Sequence, residues 1–174
     1  AMPALSALGY QILHIGPIGS ASVLKVATNY LASTHLVAVG EALMVCKKAG
    51  LDLPTVYEGI KISSGNSFVH ETESQVIMNG SYNINFTMDL VCKDVGLFEK
   101  LAQDMNVPTE VSPLITKIFK EGREKYGDRA WSSMIVKRLE DACEEDLRAP
   151  GYPEELVDDT PRRKGYEVIP NNIK

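Results

Sequence analysis

The sequence predicts an all-α protein organised around one long central helix. Three observations carry that expectation. Beyond residue 15 the apolar spacings follow three and four rather than two. The run that starts at Ser20 or Ser22 continues to about residue 49 without a proline, and each later apolar run is bounded by a recognisable breaker. With 174 residues, 44% hydrophobic and 24% charged, the chain fits one ordinary globular domain whose core needs neither disulfide nor metal.

The elements follow in order. Residues 2–9 read as the end of a helix, with Pro3 in a first-turn role and Gly9 as the stop. Residues 11–15 alternate like a short strand that has no partner elsewhere in the sequence. A lone strand leaves backbone groups unsatisfied, so it is expected to pair with a missing piece of something larger. The turn Gly16-Pro-Ile-Gly19 leads to a helix capped by Ser20 or Ser22 and stopped at Gly50, with Pro54 beyond. That helix is apolar on nearly every side, with Lys25 and Glu41 its only full charges before Lys47, so other helices are expected to wrap most of it. Further helices are expected over residues 53–62, 68–78, 87–105, 113–126 and 131–145. The segment after residue 148, with Pro150, Pro153, Pro161 and Pro170, reads as extended.

Charge and cysteine usage exclude several classes. Residues 140–174 hold ten acidic and five basic side chains while residues 1–139 hold thirteen of each, so the net charge of −5 belongs to the tail. No basic stripe is available to neutralise phosphates, which argues against nucleic acid. Cys46, Cys92 and Cys143 are odd in number and free of C-x-x-C spacing, as expected of free thiols in the cytoplasm. The histidines stand far from the cysteines and from one another, so no metal site is expected. The longest uncharged apolar stretch, residues 26–40, is too short and too polar to span a bilayer, and no signal peptide is visible.

Two clusters could carry chemistry. Lys25 and Asn29 are four apart and share a helix face. A lysine stripped of water holds its proton less tightly, and a carboxamide beside it can orient it or a substrate oxygen. The plainer reading is a surface lysine beside an asparagine in a polar pocket. Further on, Phe86 and Lys93 are seven apart with Asp94 next, either a core phenylalanine with a solvated charge pair or an aromatic and a cation set for a phosphate or ribose. Gly16-Pro-Ile-Gly19-Ser20 could receive an anion at a helix N-terminus, but serves equally as a turn.

Taken together, Gly16-Pro-Ile-Gly-Ser-Ala-Ser-Val-Leu-Lys25-Val-Ala-Thr-Asn29 followed by Phe86…Lys93-Asp94-Val-Gly-Leu resembles the C-terminal domain of the β-hydroxyacid dehydrogenases, the 3-hydroxyisobutyrate dehydrogenase-like family within the 6-phosphogluconate dehydrogenase-like superfamily. In that family a G-x-G-x-x-x-K-x-x-N-N segment opens a long interdomain helix and an F-x-x-x-L-x-x-K-D-L segment completes the site. One glycine of the first motif is missing here, and Thr28 stands at the first of its paired asparagines. The resemblance spans roughly residues 3–148. It implies that residues 1–15 are the remnant helix and strand of a missing Rossmann domain, residues 16–148 an all-α C-terminal dehydrogenase domain, and residues 149–174 an acidic Pro-rich tail, with Ala1 a cloning scar.

The same resemblance implies an NAD(P)-dependent oxidoreductase passing hydride between NAD or NADP and a small β-hydroxyacid or semialdehyde. Lys25 would be the general acid/base, Asn29 its catalytic partner, Lys93 and Phe86 contacts of the cofactor, and Asp94 a substrate contact. The cofactor would sit mainly on the missing domain, the isolated chain would be inactive, and a homodimer would form through the helices. Two alternatives stand beside it: a 6-phosphogluconate dehydrogenase-like enzyme, whose motif carries His-Asn where Thr28-Asn29 stands, and a non-enzymatic α-helical dimerisation module. The choice of hydroxyacid and of NAD against NADP is not legible in these residues.

Overall fold

The computed structural model describes residues 1–170; the last four positions of the expected tail lie outside the described residues. Its contacts divide into two compact units, Lys25–Leu156 and a smaller one made of Ala1–Leu24 with the stretch from Val157 onward.

In the smaller unit α1 (Met2–Leu8) begins at Pro3 and is followed by β1 (Gln11–Ile12). The expectation of an all-α chain preceded by an unpaired remnant strand is corrected here. β1 pairs in parallel with β2 (Tyr166–Glu167), Gln11 opposite Tyr166 and Ile12 opposite Glu167, so the tail itself satisfies the strand. Gln11 Nε2 donates to the Tyr166 hydroxyl at 3.0 Å, and the Tyr10 and Tyr166 rings meet edge to face. Parallel pairing needs a long connection rather than a tight turn, and partners two residues long show no alternation for a sequence pattern to reveal.

The larger unit is built on α2 (Ser20–Lys48) from Lys25 onward, α3 (Leu53–Lys61), α4 (Phe68–Asn79), α5 (Met88–Asp104) and α6 (Val111–Tyr126). Asp52 caps α3 by accepting from Thr55 N, and Ser67 caps α4 by accepting from His70 N. Gly80 ends α4 with φ 94°, and a Cβ there would lie 2.5 Å from Arg148 Nε, so both backbone and space call for glycine. Pro113 is accommodated in the first turn of α6, where its missing N–H costs nothing. Leu43, Ile77, Met78, Met88, Val95, Phe119 and Ile135 are among the fully buried side chains that these helices enclose.

Two further expectations are corrected. α2 buries one stripe, Ser33, Leu36, Val37, Val39, Gly40, Leu43 and Met44, rather than most of its surface; Leu31 and Val45 remain 50% and 68% exposed. Residues 131–145 do not form one helix. A 3-10 turn, Ser132–Val136, precedes α7 (Lys137–Cys143), because Ser132 N donates to Phe86 O and Ser133 Oγ to Tyr82 O, tying that stretch to the chain ahead of α5.

The 3-10 turn also explains Gly40. A Cβ at this position would sit 2.7 Å from Val136 Cγ2, so α2 can approach the turn only without a side chain there. Gly40→Ala should cost about 1–3 kcal/mol, since overpacking outweighs the gain in helix propensity. A denaturant melt that shows the variant unchanged or stabilised would contradict this contact.

Candidate active site

All the polar side chains singled out in the sequence fall in the larger unit. Lys25 and Asn29 stand one turn apart on α2, Phe86 lies just ahead of α5, and Lys93 and Asp94 are in its first turns. The α2–α5 pair is held by the Tyr30 and Phe98 rings, stacked with centroids 3.9 Å apart and planes within 4°. Stacking at that point sets Asn29 over Asp94.

The result is a linear hydrogen-bonded chain. Lys25 Nζ donates to Asn29 Oδ1 at 2.5 Å, Asn29 Nδ2 donates to Asp94 Oδ2 at 2.5 Å, and Lys93 Nζ lies 3.2 Å from Asp94 Oδ1. The Asp94 carboxylate, 13% exposed, thus has both oxygens engaged inside the protein. It fixes which way the Asn29 amide points, because the flipped amide would aim N–H at an ammonium and oxygen at a carboxylate. Lys93 is 60% exposed and adds little stability through its ion pair. Lys25 is exposed in this chain, so the burial expected of it is not supplied by its own unit.

Lys25, Asn29 and Phe86 line one cavity of about 260 Å³, together with Ala32, Ser33, Leu36, Glu73, Val91 and Ser132. Lys93 and Asp94 are outside that lining: Asp94 lies behind Asn29 and accepts from its Nδ2, and Lys93 is exposed beside Asp94. Among the described residues no cluster of His, Cys, Asp or Glu could hold a metal ion, and no helix is long and apolar enough to cross a membrane.

Glu73 was not singled out in the sequence. Its Oε2 is shielded from solvent with no hydrogen-bond partner, and burial pushes its carboxyl up to about 8. A signal was present: Val69, Glu73, Val76 and Ile77 follow helical spacing, and the three apolar members are buried. An acid inside such a stripe is exceptional unless paired.

Glu73 also sets a pH dependence. Below pH 4.5 folded and unfolded chains both hold this proton; between 4.5 and about 8 only the folded chain does, so stability falls as pH rises, and the loss is complete above about 8. Glu73→Gln should therefore stabilise the fold by about 3 kcal/mol at pH 9, against a ceiling of about 5 kcal/mol for the full shift. Near pH 4 it should change little. Melts of both proteins across this range would show the divergence, and parallel curves would contradict it.

The family model described as "NAD-binding of NADP-dependent 3-hydroxyisobutyrate dehydrogenase" matches residues 19–139. That description overturns the expectation of an all-α C-terminal domain with cofactor binding left to a separate Rossmann domain, since the segment it calls NAD-binding is the helical one. The 2-(hydroxymethyl)glutarate dehydrogenase of Eubacterium barkeri is 35% identical over 136 residues, 78% of this chain and 45% of that protein. The L-threonate dehydrogenase of Haemophilus influenzae is 28% identical over the same shares. The crystal structure of a 3-hydroxyisobutyrate dehydrogenase from Salmonella typhimurium superposes with a TM-score of 0.62 at 26% identity, covering 69% of this chain and 42% of that one. The chain spans about half the length of the curated relatives it matches.

Proposed function

Because the chain belongs to the NAD-binding family of NADP-dependent 3-hydroxyisobutyrate dehydrogenase, we propose that it supplies the proton-handling side of a site that oxidises a small β-hydroxyacid or reduces the matching semialdehyde. The observation that carries this reading is the Lys25–Asn29–Asp94 chain of hydrogen bonds at the edge of a cavity of small-molecule size.

Lys25 Nζ accepts the substrate hydroxyl proton in the oxidative direction and returns it in reduction. Asn29 holds the amine toward the cavity, and Asp94 is a positioning residue that orients the Asn29 amide. The donor set suits a nicotinamide dinucleotide: an exposed ammonium at Lys93 for a phosphate or ribose oxygen, and the Phe86 ring for an aromatic face. When bound, that cofactor takes or supplies the hydride. Ala32, Leu36 and Val91 give the cavity an apolar wall for the carbon chain of the substrate.

The test is turnover by the natural protein that contains this chain, followed as NADH or NADPH absorbance with a panel of small semialdehydes. Reduction of at least one is expected, and none with either cofactor would reject the reading.

Assembly belongs to the same proposal. Leu31, Ala38 and Val45 are exposed at heptad spacing along α2, a stripe suited to a second copy of this chain. Sedimentation at micromolar concentration should give a dimer, and Leu31→Asp with Val45→Asp should give a monomer. A monomeric parent protein would remove the stripe from consideration as an interface.

A further inference from the structure

We propose that residues 148–155 form a strap that sets the Phe86 wall of the Lys25 cavity by holding residues 80–86 in a strained path, with Tyr82 and Asn85 as positioning residues. The inference rests on the proposed function for the ligand that meets Phe86, while its structural ground is separate. Tyr82 and Asn85 have φ of 54° and 55°, in the left-handed region that favours glycine. Asparagine tolerates that region, but a bulky aromatic rarely enters it. Such conformations persist only where the surroundings over-determine them, and they cluster beside binding and catalytic sites. The strap lies outside residues 19–139, the stretch that the family model matches.

Six hydrogen bonds tie the strap to the end of α4 and the segment after it. Arg148 donates through Nη1 to Ile77 O at 3.0 Å and through Nη2 to the Tyr82 hydroxyl at 2.7 Å, and Ala149 N donates to Met78 O at 3.1 Å. Asn79 Nδ2 donates to Tyr152 O at 2.9 Å, Ser81 Oγ to Glu154 O at 2.6 Å and Asn85 Nδ2 to Glu155 Oε1 at 3.4 Å. The Tyr152 ring anchors the strap, edge-on to buried Tyr57 with centroids 5.6 Å apart. From the other side Ser133 Oγ donates to Tyr82 O and Ser132 N to Phe86 O. Residues 80–86 are therefore clamped between the strap and the 3-10 turn, and Phe86 passes from that clamp into the cavity wall. None of these bonds involves Lys25, Asn29 or Asp94, which are joined across α2 and α5. Releasing the strap lets Tyr82 and Asn85 relax toward ordinary φ and moves the Phe86 ring, while the Lys25–Asn29–Asp94 chain stays in place. Binding against Phe86 is then lost with proton transfer intact.

The experiment compares the natural protein with two pairs of variants. Ser81→Ala combined with Tyr152→Ala removes the Glu154 contact and the Tyr57 anchor, whereas Tyr152→Phe keeps the ring. Asn85→Val puts a β-branched residue at a φ of 55°, whereas Asn85→Gly accepts it freely. Hydrogen exchange read by mass spectrometry should rise at residues 83–88 in the double variant and in Asn85→Val, with residues 25–33 unchanged. In the same two variants KM for NADH or NADPH should rise by about 10-fold, inside the range of up to about 10²-fold for a contact displaced by about 1 Å, with kcat within about threefold of the parent. Tyr152→Phe and Asn85→Gly should stay close to the parent in both measurements. Thermal melts establish that each variant is folded at the assay temperature, and if the double variant does not fold the Asn85 pair decides. Unchanged exchange at residues 83–88 overturns the assignment, as does a rise there with KM unaltered. A larger fall in kcat, or a conservative variant as impaired as its counterpart, also overturns it. Failure to turn over any semialdehyde rejects the dehydrogenase reading by itself. The strap assignment then stands if residues 83–88 open without residues 25–33 and stay closed in the two conservative variants, and falls otherwise.

Discussion

Lys25→Ala in the natural protein is expected to lower kcat by about 10²- to 10⁴-fold, the usual contribution of a positioned acid/base group, with the helical circular dichroism unchanged. Stability should hold because among the described residues the Lys25 side chain hydrogen-bonds only to Asn29 Oδ1 near the surface, and water can take its place there. Lys25→Arg separates charge from proton transfer. A guanidinium retains a donor for Asn29 and a positive charge at the cavity, but it does not give up a proton in the working range. It should therefore be nearly as impaired as the alanine variant. Activity within about threefold of the parent in either variant would make Lys25 a binding or structural residue and would move the search for the base elsewhere in the cavity.

Glu140→Ala is expected to produce the largest loss of stability. Glu140 is 2% exposed; its Oε1 accepts from Leu147 N at 2.8 Å and from Arg148 Nη1 at 2.7 Å, and its Oε2 accepts from the Tyr82 hydroxyl. Arg148 extends the network to Tyr82 Oη at 2.7 Å and Ile77 O at 3.0 Å, so α7, the loop after α4 and the chain at Leu147 are fastened at one point. Burial, reinforced by the bond to Glu140, pushes the Tyr82 hydroxyl well above its ordinary range. Removing the carboxylate leaves the Leu147 N–H and the Tyr82 hydroxyl without an acceptor and the guanidinium without its counter-charge. The guanidinium is about a third exposed, which tempers the cost to about 3 kcal/mol, below the upper end for a fully buried pair. For a chain of this size that corresponds to a melting temperature lower by roughly 6–12 °C. The chain just after Leu147 should also lose amide protection before the core does. A fall of less than about 2 °C would show that the network is dispensable.

These two sites differ in how far the sequence reveals them. Lys25 and Asn29 belong to one helix, and the 3.6-residue period alone places them on one face, just as Gly50 marks the end of that helix through purely local backbone chemistry. Phe86, Lys93 and Asp94 were legible as a group because they fall within one short stretch. What local rules leave open is the partner of each polar group. Asp94 meets Asn29 across 65 residues, Tyr82 meets Glu140 across 58, and Gln11 meets Tyr166 across 155. Each closure depends on packing that brings distant segments together, and no periodic pattern encodes it.

The sequence by itself therefore determined the helical segments between residues 20 and 126, most of their stops, and the resemblance to the 3-hydroxyisobutyrate dehydrogenase-like family. Only the tertiary structure decided that the N-terminal strand is paired by the tail, that residues 131–145 break into a 3-10 turn and a short helix, and that Asp94 works from behind Asn29. It also turned Glu73 from one more charge on a helix into a neutral acid buried beside the Lys25 cavity. The physical reason is common to all four. A residue's helix propensity and facing depend on neighbours within a turn or two, whereas its solvation, and with it its charge and chemical use, depend on which distant atoms exclude water from it.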